Sequence, residues 1–284
     1  PPRSTLFPYT TLFRSGIPYT KMGTTSIVAT INKGKKPVVA LRADIDALPI
    51  LEQSGVDFAS ENEGVMHACG HDAHAAMLMG AARILQGMKN DVQGEVRLLF
   101  QEAEETLSGA RKLVAGGALD GVSGVFGLHG MPMLETGTYE LTPGYRMAGC
   151  DTIYVKLEGE SGHVGVPHLA KDTIYPAAVF TANLDNIVSK AVDPLKPLIL
   201  GVCRFHGGTK ANVVAKFTEL DISMRYFDPE VRQIARDAIR RHADALASAF
   251  GIRVAVEFED SAPSLNNESE MTALAEKAAR KGFG

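Results

Sequence analysis

The sequence predicts an α/β fold in two parts: a sheet-and-helix part that carries metal-type donors, then a separate α+β unit. Three observations carry this. Short apolar runs at 26–31, 37–41, 94–100 and 124–128 alternate with helical patterns at 72–85 and 108–115, the sign of an α/β sheet. Cysteine, histidine and glutamate residues collect at the ends of those runs, where open α/β sheets gather ligands. Composition shifts near 144–150, and the order that follows is β-α-β-β-α-β, the split ferredoxin-like unit.

Residues 1–15 (P-P-R-S-T-L-F-P-Y-T-T-L-F-R-S) repeat T-L-F with no helical or strand period. They read as the translation of a sequencing-library adapter, so the native chain is expected to begin at Gly16, downstream of its true start. The runs S-I-V-A-T-I (26–31) and P-V-V-A-L (37–41), separated by N-K-G-K-K, predict a hairpin. The second run leads into R-A-D-I-D-A-L-P, which places Asp44 and Asp46 at a strand end. Two readings stay open for this pair: polar termination of the strand, or orientation of a nearby ligand imidazole.

The stretch 66–74, M-H-A-C-G-H-D-A-H, packs one cysteine and three histidines into nine residues. Thiolate and imidazole suit a borderline-soft divalent cation, and Gly70 lets Cys69 and His71 turn toward one point. A helix is expected from Asp72 onward, with that acid near its positive end. After the strand at 94–100, Q-E-A-E-E-T crowds Glu102, Glu104 and Glu105 together, an arrangement that repels itself unless a cation lies between. Adjacent glutamates point in different directions, so one can hold a metal while the other acts as general base. The run at 124–128 delivers His129 at a third strand end.

In the second part, T-I-Y-V-K-L (152–157) alternates as a half-exposed strand, and a glycine-rich turn carries His163 and His168. A helix is expected over 171–189, with strands at 198–205, 217–226 and 253–258. Asp228-Pro229-Glu230 supplies an N-cap, a first-turn proline and an early acid for a helix reaching Phe250, which Gly251 ends. One more helix is expected over 268–281. The exposed edge strand of such a unit offers a pairing surface to a second copy.

With 284 residues, 45% of them hydrophobic, the chain can bury the cores of two domains. A net charge of −4 without charge blocks argues against nucleic-acid or membrane partners. Three widely spaced cysteines argue against a disulfide framework and for the cytoplasm. No stretch is apolar enough to span a bilayer, and no signal-peptide order of basic, apolar and small residues is present.

Six motifs in order, R-A-D-I-D-A-L-P (42–49), M-H-A-C-G-H-D-A-H (66–74), F-Q-E-A-E-E (100–105), G-L-H-G (127–130), G-H-V-G-V-P-H-L-A-K-D (162–172) and G-G-T-K-A-N-V-V (207–214), make the chain resemble the amidohydrolase branch of the aminoacylase/carboxypeptidase family of metallopeptidases. That branch includes hippurate and indole-acetyl-amino-acid hydrolases. The resemblance implies a phosphorylase/hydrolase-like catalytic α/β domain (16–147 and 261–284), with an inserted ferredoxin-like lid (148–260) that forms a homodimer. It implies two divalent ions, zinc or manganese, held by Cys69, His71, Glu105 and His129, with Glu104 as general base. His163 would reach a partner's site and steady the oxyanion, and Asn212 would contact the substrate carboxylate. His74 and His168 would be structural.

The implied reaction is hydrolysis of an N-acyl amino acid by metal-activated water. Alternatives are a dipeptidase or carboxypeptidase of the same family, or a dimerising module without activity of its own. The family pattern has proline where Glu102 stands and a smaller residue where Val164 stands. Its last metal ligand is a histidine in the C-terminal part of the catalytic domain, and no histidine follows Glu268 here, so the chain is expected to be truncated at that end too.

Overall fold

The computed structural model describes residues 14–283, which form two compact units, one running to Tyr139 and the other starting at Glu140. The adapter reading of residues 1–15 therefore falls almost wholly outside the described residues.

The first unit comprises strands β1 (Tyr19–Met22), β2 (Ser26–Ile31) and β3 (Val38–Asp44), helix α1 (His71–Gly87), strand β4 (Glu95–Gln101), helix α2 (Gly109–Ala115) and strand β5 (Gly124–Gly127). Its sheet order is β1-β2-β4-β3-β5, with β4, β3 and β5 parallel and β1 and β2 antiparallel to their neighbours. Alternate residues of each strand serve opposite faces. Ile27, Ala29, Ile31, Ala43, Leu98 and Phe100 pack with Leu78, Met79 and Ala82 of α1. Val28, Ala40 and Leu99 pack with Leu113 and Ala118 on the α2 side.

The expected hairpin between β2 and β3 does not form. Strand β4 inserts between them, antiparallel to β2 and parallel to β3. The cause is the β3–α1–β4 crossover, which returns β4 alongside β3 and occupies the edge a hairpin would have used.

The second unit contains β6 (Gly144–Met147), β7 (Gly149–Glu158), β8 (Gly162–His163), α3 (Ile174–Asn186), β9 (Leu198–Gly207), β10 (Val213–Val214), β11 (Phe217–Tyr226), α4 (Pro229–Phe250), β12 (Arg253–Ala262), β13 (Leu265–Asn267) and α5 (Ser269–Phe283). The four long strands form an antiparallel sheet in the order β12-β7-β11-β9, the ferredoxin-like order the sequence predicted. Helix α4 presents Val231, Ala235, Ile239, Ala243 and Leu246 at helical spacing to Ile153, Val155, Leu157, Leu220, Ile222 and Met224. Its ends follow the sequence signals: the Asp228 carboxylate accepts from Glu230 N at 2.8 Å, Pro229 opens the first turn, and Gly251 closes the helix at φ 61°. Helix α3 is shorter than expected and passes into a π-helical turn at Ile187–Ala191. Among the described residues, no helix is long and apolar enough to cross a membrane.

Candidate metal centre

Three adjacent parallel strands end on one side of the first sheet, and their ends supply the chemistry. Strand β3 ends at Asp44, β4 leads into Glu104 and Glu105, and β5 leads into His129. The turn before α1 brings Cys69 and His71 to the same place. Gly70 stands at φ 78° as the residue preceding the helix, a left-handed conformation that a side chain disfavours.

His71 sits at the centre and is 1% exposed. Its Nδ1–H donates to the Asp46 carbonyl at 3.0 Å, which leaves the Nε2 lone pair facing the cluster. That Nε2 is buried with no hydrogen-bond partner. Around it stand Asp44 Oδ2 at 3.7 Å, Glu105 Oε1 at 3.9 Å and Glu104 Oε2 at 4.0 Å. Cys69 Sγ and His129 Nε2 lie 3.5 Å apart, and His129 Nδ1–H donates to the Gly130 carbonyl at 2.8 Å. Both histidines thus turn an Nε2 lone pair toward the same space.

Donor atoms of Cys69, His71 and His129 all lie within 4.8 Å of one another, as do those of His71, Glu104 and Glu105. Such N, S and O sets fit a divalent cation, and an orphaned buried imidazole nitrogen beside two carboxylates is costly without one. Asp44, His71 and His74 form a third group of the same tightness, but hydrogen bonds close it. His74 Nδ1–H donates to Asp44 Oδ1 at 2.6 Å, and His74 Nε2 accepts from Gly130 N at 2.8 Å. His74 therefore has no lone pair to offer; it ties α1 to the backbone next to His129.

Electrostatics match this division. Burial opposes ionisation of Asp44, yet the His74 hydrogen bond and the Arg42 guanidinium 2.8 Å away hold its carboxyl below the usual range. Glu104 is pushed upward by burial first, then by the Glu105 and Asp44 charges. The Cys69 thiol is pushed upward by burial and then by Glu105.

Of the D-x-D pair, Asp46 reaches two elements of the cluster. Its carbonyl holds His71, and its Oδ2 accepts from Glu105 N at 3.1 Å. Glu102 departs from its expected place beside the other two acids. It is buried and turned away, accepting from Thr24 N, Thr25 N and Ser26 N and pairing with Lys112 Nζ at 2.9 Å. The cause is the end of β4 at Gln101 followed by left-handed backbone at Ala103 (φ 52°), which breaks the extended run between Glu102, held at the β1–β2 turn, and the Glu104–Glu105 pair. No sequence signal announced that anchor. For His74 the available signal was its spacing three residues after His71, which a helix starting at His71 puts on one face.

His163 and Asn212 belong to the second unit. Strands β8 and β10 pair His163 with Val213, and Val164 N donates to the Asn212 carbonyl at 3.1 Å, so the two residues stand side by side. His163 Nδ1 accepts from Gly165 N at 3.1 Å, which puts the ring proton on Nε2 as a free donor. His168 is exposed in the 3₁₀ turn Pro167–Leu169.

The chain resembles curated proteins over most of its length. It is 38% identical over 262 residues to the N-acetylcysteine deacetylase of Bacillus subtilis, covering 91% of this chain and 69% of that protein. It is 42% identical over 238 residues to the N-acyl-L-amino acid amidohydrolase of Geobacillus stearothermophilus, covering 83% and 64%. The chain thus spans about two thirds of the length of these curated relatives. The crystal structure of the Bacillus subtilis YxeP protein, a dinuclear metal-binding peptidase of the M20 family, superposes with a TM-score of 0.84 at 34% identity, covering 97% of this chain and 72% of that one. Residues 40–284 match the family model for peptidase family M20/M25/M40, and the chain belongs to that family.

Proposed function

We propose that this protein hydrolyses the amide bond of N-acyl amino acids at the Cys69–His71–Glu104–Glu105–His129 cluster. The observation that carries the reading is the buried, unpartnered Nε2 of His71, with two carboxylates within 4.0 Å and the Cys69–His129 pair completing the donor set. Cys69, His71, Glu105 and His129 would hold two divalent ions, zinc or manganese. When bound, such ions polarise a carbonyl and lower the pKa of water to about 7.

The chain's own residues divide the remaining work. Glu104, raised by burial and by neighbouring acids, takes a proton from the attacking water at its carboxylate and passes it to the leaving nitrogen. Glu105 adjoins the Cys69 thiol, which favours it as the ligand of the pair. As the lid histidine, His163 would donate its Nε2–H to the oxyanion in the site of a second copy of this chain, and the Asn212 amide would bind the substrate carboxylate. Asp46 fixes the His71 tautomer through its carbonyl.

In this reading residues 16–147 and 261–284 make the catalytic domain and 148–260 the lid. Support comes from β6 and β13, the segments flanking the insert, which pair with each other. The edge strand β9 exposes Ile199 and Phe205, which favours dimerisation along it. Cys69, Cys150 and Cys203 are all free thiols, which favours a reducing compartment such as the cytoplasm.

The test is to assay the purified protein against a panel of N-acyl amino acids with Zn²⁺ and Mn²⁺ supplied separately, alongside Glu104→Gln. The reading expects metal-dependent release of free amino acid, lost in Glu104→Gln while bound metal is retained. Equal activity of the two proteins ends the assignment.

A further inference from the structure

We infer that Glu102 is a positioning residue for the Glu104–Glu105 pair, acting as the anchor of the loop that carries both. This rests on the function proposed above. The loop from Glu102 to Ser108 has no regular structure of its own and contains two strained points, Ala103 at φ 52° and Leu107 at φ 57°. Left-handed backbone at non-glycine residues persists only where the surroundings hold it.

What holds it is visible at both ends. The Glu102 carboxylate accepts from Thr24 N at 3.2 Å, Thr25 N, Ser26 N at 3.1 Å and Thr25 Oγ1 at 2.9 Å, and pairs with Lys112 of α2 at 2.9 Å. Its own N–H donates to Ser26 Oγ at 3.0 Å. Three backbone donors, a hydroxyl and an ammonium on one buried carboxylate leave it no second place to go. At the far end, Ser108 N and Gly109 N both donate to the Ala103 carbonyl at 3.2 Å. A Cβ at Gly109 would stand 1.6 Å from the Glu102 carbonyl oxygen, so the loop closes tightly on its own start.

Between these clamps, Glu104 and Glu105 face His71 Nε2. The Gly23–Ser26 turn, which contributes nothing to the donor cluster, is thereby fastened to the residues that do. A Cβ at Gly23 would meet Glu102 Oε1 at 2.7 Å, so that turn is shaped to admit this carboxylate. Releasing the anchor displaces the carboxylates without removing either.

The experiment compares wild type, Glu102→Gln and Lys112→Met as full chains. Three quantities are read: amide hydrogen exchange of peptide 101–109 in metal-free protein, the visible absorption of the Co²⁺-loaded protein, and kcat and KM separately. The inference expects faster exchange confined to 101–109, an altered Co²⁺ spectrum at unchanged metal content, and a kcat lowered about tenfold or more with KM within about twofold. Lys112→Met, which removes one of the five contacts, should show the same pattern more weakly and serves if Glu102→Gln fails to fold. A variant that melts earlier yet keeps the wild-type Co²⁺ spectrum and kcat would overturn the inference, since Glu102 would then support only the fold. Wild-type protein that takes up no metal would instead overturn the function on which the inference rests, whatever the exchange data show.

Discussion

Cys69 Sγ and His129 Nε2 lie 3.5 Å apart across sixty residues of chain. A helix-opening turn delivers one and the end of β5 delivers the other. Burial, and then the Glu105 carboxylate, keep the Cys69 thiol protonated above its usual range, whereas a metal takes the thiolate. Metal uptake should therefore expel this proton, and affinity should rise by about tenfold per pH unit over the neutral range. Titrating Zn²⁺ at pH 6, 7 and 8 in buffers of different ionisation enthalpy checks both. A pH-independent affinity would remove Cys69 from the donor set.

His74 supports the cluster without joining it. Replacing it with leucine leaves the buried Asp44 carboxylate without its 2.6 Å partner and frees the Gly130 N–H. Stability should fall by roughly 1–3 kcal/mol, and metal affinity by about 10–100-fold as His129 loses its backing. Thermal melts and metal titration of His74→Leu test this; unchanged affinity would make His74 a residue of the core alone.

The proposed oxyanion role of His163 depends on its Nε2–H, since Nδ1 is taken by Gly165 N. His163→Ala should lower kcat by about 10²–10³ with little change in KM. A change in KM alone would assign His163 to substrate binding rather than to the reaction.

Glu102 predicts a pH dependence of stability. Although burial alone would raise its pKa, the hydrogen bonds from Thr25 N, Lys112 and Thr24 N lower it from 4.5 to about 2. A carboxyl depressed on folding contributes stability that is present above about pH 4.5 and is lost as pH falls toward 2. Wild type and Glu102→Gln should differ most in melting temperature near pH 7 and converge as pH falls below about 4. A constant difference would contradict the shift.

Much of this was legible because local chemistry and global fold agreed. The caps of α4, Asp228, Pro229 and Gly251, are local signals that no tertiary contact overrides. Cys69, His71, Glu104, Glu105 and His129, whose side chains the fold brings together, stood out in the sequence because strand ends can be read from apolar runs and parallel strands end together. The β2–β3 hairpin failed for the converse reason. Pairing depends on what the intervening chain later inserts, and β4 lies more than fifty residues downstream of β3. Glu102 was misplaced because its partners, Thr24 to Ser26, lie 76–78 residues away and bind through backbone N–H groups that any residue could supply.

Cobalt substitution examines the convergence of these donors most directly. Loading the purified protein with Co²⁺ should give a thiolate-to-cobalt charge-transfer band together with visible bands of low coordination number, and Cys69→Ser should lose the first while keeping bound metal. Wild-type protein without the charge-transfer band, or a Cys69→Ser spectrum identical to it, would show that Cys69 and the imidazoles beside it do not meet at one ion.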